Sequence, residues 1–492
     1  MTTGMVWTGI IIYIFIASFV AFLSKTGKQT NMEGYFLAGR KLGGFVSALS
    51  YSATTYSAFM LVGLAGLTYA GGVGALGFEL IYLMGVSLVA FFGPRFWLAG
   101  KKYGYLTPSE MLGDRYNSKL VAVIAAVSSC IFLIPYSAVQ LSGIGYLLSG
   151  MTNGEISYTT GMVIATVMAV VFTYIAGIRS VAWTDSLQAL FMIVSSTLVV
   201  FFLVYRLGGI REFFLDIETK APELLTVPGN GYFSIATFLG LTIPWFFFSL
   251  SNPQVSQRLY MPGSLKSMRT MLLGFMIFGL IYTIVAVMWG FSAVNKFPEL
   301  ANPDMATPVL LSSELVPPVL GVIVMVGIMA AAISTIDSIL LTLSSLFARD
   351  VYGNIRPEIS DRKQLAMGKL VIPVIAVLAF LFAKLELNLI AVLSVASSAG
   401  LLVTVPAIIG TFFWKRGTAP AVLASVIIGG LVVFFFELTQ IKPLGLASGL
   451  WGISISTILF IVVSLFTKAP EEKAEEFIGY IQNEIKQIYK NR

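Results

Sequence analysis

The 492-residue chain has no histidine and only one cysteine, Cys130. A His-based triad and a His-ligated metal centre are therefore excluded, as are an intramolecular disulfide and a Cys cluster. Charge is scarce too: Asp, Glu, Lys and Arg make up 11% of the residues, against about a quarter in a soluble domain. Hydrophobic residues fill the gap at 57%. The net charge of +7 is basic, but in so apolar a chain it records orientation across a membrane rather than nucleic-acid binding.

Apolar runs of about 20 residues must be helices in lipid, where each backbone N–H and C=O needs an internal partner. Thirteen are read, at 6–24, 43–71, 74–98, 120–149, 158–177, 184–205, 232–252, 271–294, 317–347, 370–386, 389–413, 419–437 and 446–466. The fold class predicted is an all-α, multi-pass membrane protein. No basic residue precedes the first run, while Lys25 and Lys28 follow it. That asymmetry sets the N-terminus outside and the first loop in the cytoplasm of a cell membrane. Carried through thirteen spans, it leaves only Arg206, Arg211, Lys220, Lys296, Lys384 and Lys442 outside, of 31 basic residues, and puts the C-terminus inside.

The segments outside lipid are short. Residues 207–231 and 297–316 are the longer external connections, the second with a short surface helix predicted at 307–315. In the tail 468–492, Phe477, Ile478, Ile481, Ile485 and Ile488 recur among charges, which predicts an amphipathic cytoplasmic helix in a structural role. None of these could form a separate catalytic domain, so an enzyme is not expected.

The run 317–347 contains Ala331-Ala332-Ile333-Ser334-Thr335-Ile336-Asp337-Ser338. Lipid gives no reason to gather three hydroxyls and a carboxylate there, whereas a hard cation wants oxygen ligands. Thr335 alone could bond back to its own helix. The run 43–71 is rich in Ser and Thr from Ala48 to Ala58, with Gly63, Gly66, Gly71 and Gly72 following. Small residues and hydroxyls allow close helix packing. They also fit a helix interrupted near Ala53–Ser57, whose freed carbonyls face an ion and whose half-helix N-terminus faces an anionic solute group. The run 232–252 carries a matching signal: Pro244-Trp245 lies inside it and Ser249-Leu250-Ser251-Asn252-Pro253 closes it. Two breaks five spans apart fit an inverted-repeat transporter. The division is then 1–42 (N-terminal helix and loop), 43–206 (first repeat), 207–231 (external loop), 232–414 (second repeat), 415–467 (two further helices) and 468–492 (tail).

These residues resemble the sodium/solute symporter family. Tyr35-Phe36-Leu37-Ala38-Gly39-Arg40 looks like the approach to its first core helix, and Gly177-Ile178-Arg179-Ser180-Val181-Ala182-Trp183-Thr184-Asp185 like its loop before the fifth. Ala331–Ser338 with Arg349-Asp350-Val351-Tyr352 is similar to its eighth core helix and exit. With Asn354-Ile355-Arg356-Pro357 the likeness is greatest to the pantothenate and proline permeases, and it covers about residues 5–465.

The resemblance implies a LeuT-like core of ten helices, with one helix before and two after, and uptake by alternating access with Na+ as the coupling ion. It places a sodium site at Ala53, Tyr56, Ala331, Ser334 and Thr335, and a second at Asp185, Ser334, Asp337 and Ser338. Asp337 stands where a hydroxyl is common. It could strengthen cation binding, carry a proton, or pair with Arg179 or Lys369; Asp185 could instead cap its helix. Beside the breaks, Thr54, Ser57, Tyr136, Gln140, Trp245, Phe248 and Ser249 are the expected solute contacts. Trp245 matches a substrate-site tryptophan of the proline permeases, while Ser249 falls where those carry a tyrosine. Glu79 reads as an interfacial residue, and no Arg or Lys is expected within a core helix. The function expected is sodium-coupled import of a small anionic or zwitterionic organic solute (pantothenate, proline or another amino acid, or a monocarboxylate), by a monomer in the bilayer. The rivals are a proton-coupled symporter of the same fold and a passive channel, although no charge ring or repeated filter is visible.

Overall fold

The computed structural model describes residues 2–23, 31–387 and 389–490, and these are helical almost throughout. Lys25 and Lys28 lie outside the described residues. The only β-pairing among the described residues is one bridge, between Leu42 and Pro262. Among the described residues, ten helices are long and apolar enough to cross a membrane, or eleven if the bent pair Gly44–Thr55 and Phe59–Gly71 counts as one span. Two shorter apolar helices, Tyr158–Tyr174 and Ile235–Phe246, take up the remaining two predicted segments. Side-chain caps mark where helices begin. Thr107, Ser157, Ser234, Ser264 and Thr418 each accept a backbone N–H of the following turn, satisfying donors that no preceding turn can take.

Both predicted interruptions are present. Gly44–Thr55 ends at Tyr56, whose backbone is extended at φ −91°, ψ 92°. The chain resumes as Phe59–Gly71 after a 50° bend, with the Ser57 hydroxyl accepting the Phe59 N–H at 3.2 Å. In the second case the break lies later than the proline implied. Pro244 sits inside Ile235–Phe246, and the helix is interrupted at Phe247 and again at Asn252. Helical turns then continue through Pro253–Ser256 and Gln257–Tyr260, all buried. The span therefore does not end at residue 252. Gly85 faces this break, where a β-carbon would come within 2.1 Å of the Phe246 carbonyl oxygen; only a glycine lets the two backbones meet so closely.

Three further expectations change. The predicted loop between 177 and 184 is helical, within Tyr158–Arg206. The connection after Lys296 carries a helix at Ala306–Ser312, but Ala306, Leu310 and Leu311 are buried rather than on the surface. Asp304 in the same connection is buried and accepts the N–H of Ile390 at 2.9 Å, tying the loop to the start of Ile390–Leu401. The tail forms Glu471–Lys490. Its Phe477 stacks on Tyr103 at 5.4 Å and meets Phe412 at 5.9 Å, while Lys473 pairs with Asp114 and Lys415 with Glu475.

Candidate functional site

The oxygen-rich helix Pro318–Leu346 is buried from Gly327 onward and runs against the first bend. In an unbroken helix the Ala53 carbonyl would take the N–H of Ser57. Instead the Thr335 hydroxyl reaches it at 2.9 Å and that of Ser334 lies 3.4 Å away. Ser334 is also 3.0 Å from the Ala331 carbonyl. Ala53, Ala331, Ser334 and Thr335 are thus brought together, each at most 2% exposed. They form a cluster of neutral oxygens with no carboxylate, suited to a dehydrated monovalent cation that hydrogen bonding alone holds closed. Tyr56 sits at the bend. Its phenol turns away, stacking on Phe275 at 5.1 Å and packing beside Gly279.

The other cation set does not assemble as expected. Asp337 turns aside and accepts from the Thr173 hydroxyl at 2.9 Å. Lys369 lies over the rings of Tyr35 and Tyr174, and the Arg179 side chain lies outside the described residues. Asp185 stands well inside a helix rather than at its start, which removes the capping role. Its Oδ2 accepts from Ser50 at 2.9 Å and pairs with Arg258 at 3.3 Å. Arg258 also donates to Ser50 at 2.6 Å and to Ser338 at 2.5 Å. An arginine is therefore buried within a core helix, against expectation. It was assigned to a cytoplasmic loop because Asn252-Pro253 read as the end of the span.

On the other side of the bend lies a packed aromatic cluster. Trp245 packs against Phe59 at 4.9 Å, Phe248 at 5.0 Å and Phe78 at 5.5 Å. Phe248 meets Tyr82 at 5.6 Å and Tyr136 at 5.8 Å. The indole N–H of Trp245 donates to Glu79 at 3.1 Å, and Glu79 is 1% exposed, so it is a buried partner and not an interfacial residue. Several buried polar atoms find no protein partner among the described residues: the hydroxyls of Tyr51, Tyr82, Tyr136 and Ser249, Oε1 of Gln140, and both amide atoms of Gln254. An unsatisfied buried group costs about 1–3 kcal/mol, so such a gathering marks a place where a polar ligand or water belongs. Ser57 lies at the bend, and Tyr136, Gln140, Trp245, Phe248 and Ser249 belong to this cluster or its edge. Thr54 does not. Its hydroxyl bonds back to the Ser50 carbonyl and meets Ser338 at 3.2 Å, on the Arg258 side. Glu79, Tyr51, Tyr82 and Gln254 were missed; for Glu79 the signal was a carboxylate inside the apolar run Gly77–Gly85.

Two interrupted helices around a buried oxygen cluster and a polar–aromatic cluster fit the core of a secondary transporter. The sodium:solute symporter family model matches residues 35–429, so the chain belongs to that family. It is a multi-pass membrane transporter whose coupling ion is sodium. It is 28% identical to the sodium/proline symporter of Haemophilus influenzae, over 90% of this chain and 91% of that one. It is 27% identical to the sodium/pantothenate symporter of Escherichia coli, over 91% and 94%. The fold matches a substrate-bound, outward-open Na+-coupled sialic acid symporter with TM-score 0.77 and 21% identity, covering 94% of this chain and 98% of that one. The architecture is thus an all-α membrane fold of the LeuT-like kind.

Proposed function

We propose that the chain imports a small zwitterionic or anionic organic solute by alternating access, with the N-terminus outside, the C-terminus in the cytoplasm and the complete pathway in one monomer. The repeats are 43–206 and 232–414. Sodium is held by the carbonyls of Ala53, Tyr56 and Ala331 and the hydroxyls of Ser334 and Thr335. The single observation that carries this is the Ala53 carbonyl, released by the bend and met by two hydroxyls of the facing helix. An ion there ties the broken helix to Pro318–Leu346, and the aromatic cluster beyond the bend is organised by that tie. Only such differential binding can shift the conformational equilibrium toward solute capture.

The solute binds at the cluster of Ser57, Tyr136, Gln140, Trp245, Phe248 and Ser249. The names of the proline and pantothenate relatives support an amino acid or a carboxylate of that size. The buried Glu79 beside Trp245 favours a solute with a positive or hydrogen-donating group, so amino acids rank above simple monocarboxylates.

Uptake into proteoliposomes tests this, with proline, other amino acids, pantothenate and short monocarboxylates presented with and without an inward sodium gradient at fixed pH. Accumulation above equilibrium only with sodium is expected. Accumulation driven by a pH gradient alone would replace sodium by protons, and equilibration without accumulation would describe a channel.

A further inference from the structure

The position that the resemblance gives to a second sodium already contains a positive charge. The Arg258 guanidinium lies 2.5 Å from the Ser338 hydroxyl, 2.6 Å from that of Ser50 and 3.3 Å from the Asp185 carboxylate. The two charged side chains are 4% and 0% exposed. These partners come from three different elements, the first broken helix, the helix Tyr158–Arg206 and the oxygen-rich helix. Arg258 itself comes from a fourth, the last turns after the Asn252-Pro253 break.

Guanidinium and sodium make the same demand on such a site: one positive charge, matched by oxygen ligands. Ser50 gives its proton to Asp185 and so presents a lone pair to Arg258. Thr54 gives its proton to the Ser50 carbonyl, so its contact with Ser338 takes the Ser338 proton and leaves that hydroxyl an acceptor as well. Every oxygen facing the guanidinium is thus turned to accept. Of the two carboxylates of that set, Asp337 is turned to the Thr173 hydroxyl and Asp185 is paired with Arg258, so a free cation beside Asp185 would meet a like charge in a medium that screens poorly. Arginine suits the role because its planar fork stays charged and reaches several oxygens at fixed angles.

We propose that Arg258 is a tethered cation filling the second ion position, so that this symporter binds one sodium per chain, at the Ala53–Thr335 cluster. The inference rests on the sodium-coupled reading of that cluster. In this arrangement Arg258 is a positioning residue: it holds the turns beyond the second break against the oxygen-rich helix without exchanging with solvent.

Equilibrium binding of 22Na+ to the purified full chain in detergent tests it. Wild type and Arg258→Lys should each saturate at one ion with a hyperbolic isotherm. Arg258→Gln frees the Asp185 carboxylate and should bind two ions sigmoidally, returning to one in Asp185→Asn/Arg258→Gln. Two ions in the wild type overturn the proposal, as does one in a folded Arg258→Gln protein that elutes as wild type on size exclusion. If Arg258→Gln does not fold, the wild-type count still decides. No sodium bound by the wild type would instead defeat the sodium-coupled reading itself.

Discussion

Two polar clusters lie on the same pair of helices, about one turn apart. Around Ala53, Ser334 and Thr335 every group is neutral, and the hydrogen bonds are those of hydroxyls on carbonyls. Around Ser50, Asp185 and Ser338 the charge is internal and already balanced. A neutral cluster loses little when it opens, because hydroxyls and carbonyls can exchange one another for an ion. A buried ion pair cannot open so cheaply, since each charge left behind is stranded. The first cluster therefore suits exchange with solvent and the second suits permanence.

The largest expected effect follows from removing half of the permanent pair. Asp185→Asn strands the Arg258 guanidinium, and breaking a buried pair costs about 3–5 kcal/mol. Thermal melting by size exclusion should show a marked loss of folded protein, with Asp185→Asn/Arg258→Gln recovering much of it. Equal stability of the single and double variants would end the contrast between the clusters. At the neutral cluster, Thr335→Ala removes one hydroxyl and a bond worth about 1 kcal/mol. Folding should survive while half-saturating sodium rises roughly fivefold, measured as uptake against sodium concentration. Ser334→Ala should act in the same direction, and unchanged sodium dependence in both variants would remove the site.

The aromatic cluster gives a smaller and more selective effect. Glu79→Gln preserves an acceptor for the Trp245 indole but removes the carboxylate. Solute KM should rise several-fold, on the scale of about 1 kcal/mol for one hydrogen bond, with sodium activation unchanged. A parallel shift in both would place Glu79 in the ion pathway instead.

Much of this was legible in the chain. Each of the thirteen apolar segments meets a helix, two of them short, and both interruptions follow from hydroxyls and a proline that lipid does not reward, whereas the meeting of Ala53 with Ser334 and Thr335 was expected only through the family resemblance. Arg258 was not, because a proline usually ends a helix and the turns after Asn252-Pro253 continue nevertheless. The direction of Asp337 was also hidden: adjacent residues on a helix differ by about 100°, and only packing decides that Thr173 is its partner. Glu79 was visible as a charge, but its pairing with a tryptophan four spans away was not.

Asp304 offers the mildest contrast, a buried carboxylate with no arginine partner among the described residues. It lies in the loop after Lys296, accepts the Ile390 N–H, and keeps Oδ1 without a protein partner among the described residues. Burial pushes it up to about 7 from an ordinary 3.8, with the Ile390 N–H opposing. A carboxylate raised in the folded state favours that state in its neutral form. Its contribution is full below the unfolded value near 3.8 and is lost as pH rises through about 7. Each unit within that window is worth at most about 1.4 kcal/mol. The melting midpoint should therefore fall modestly from pH 5 to pH 8, and Asp304→Asn, which keeps an acceptor for Ile390, should flatten that slope. A pH dependence that survives Asp304→Asn unchanged would place the titrating group elsewhere in the fold.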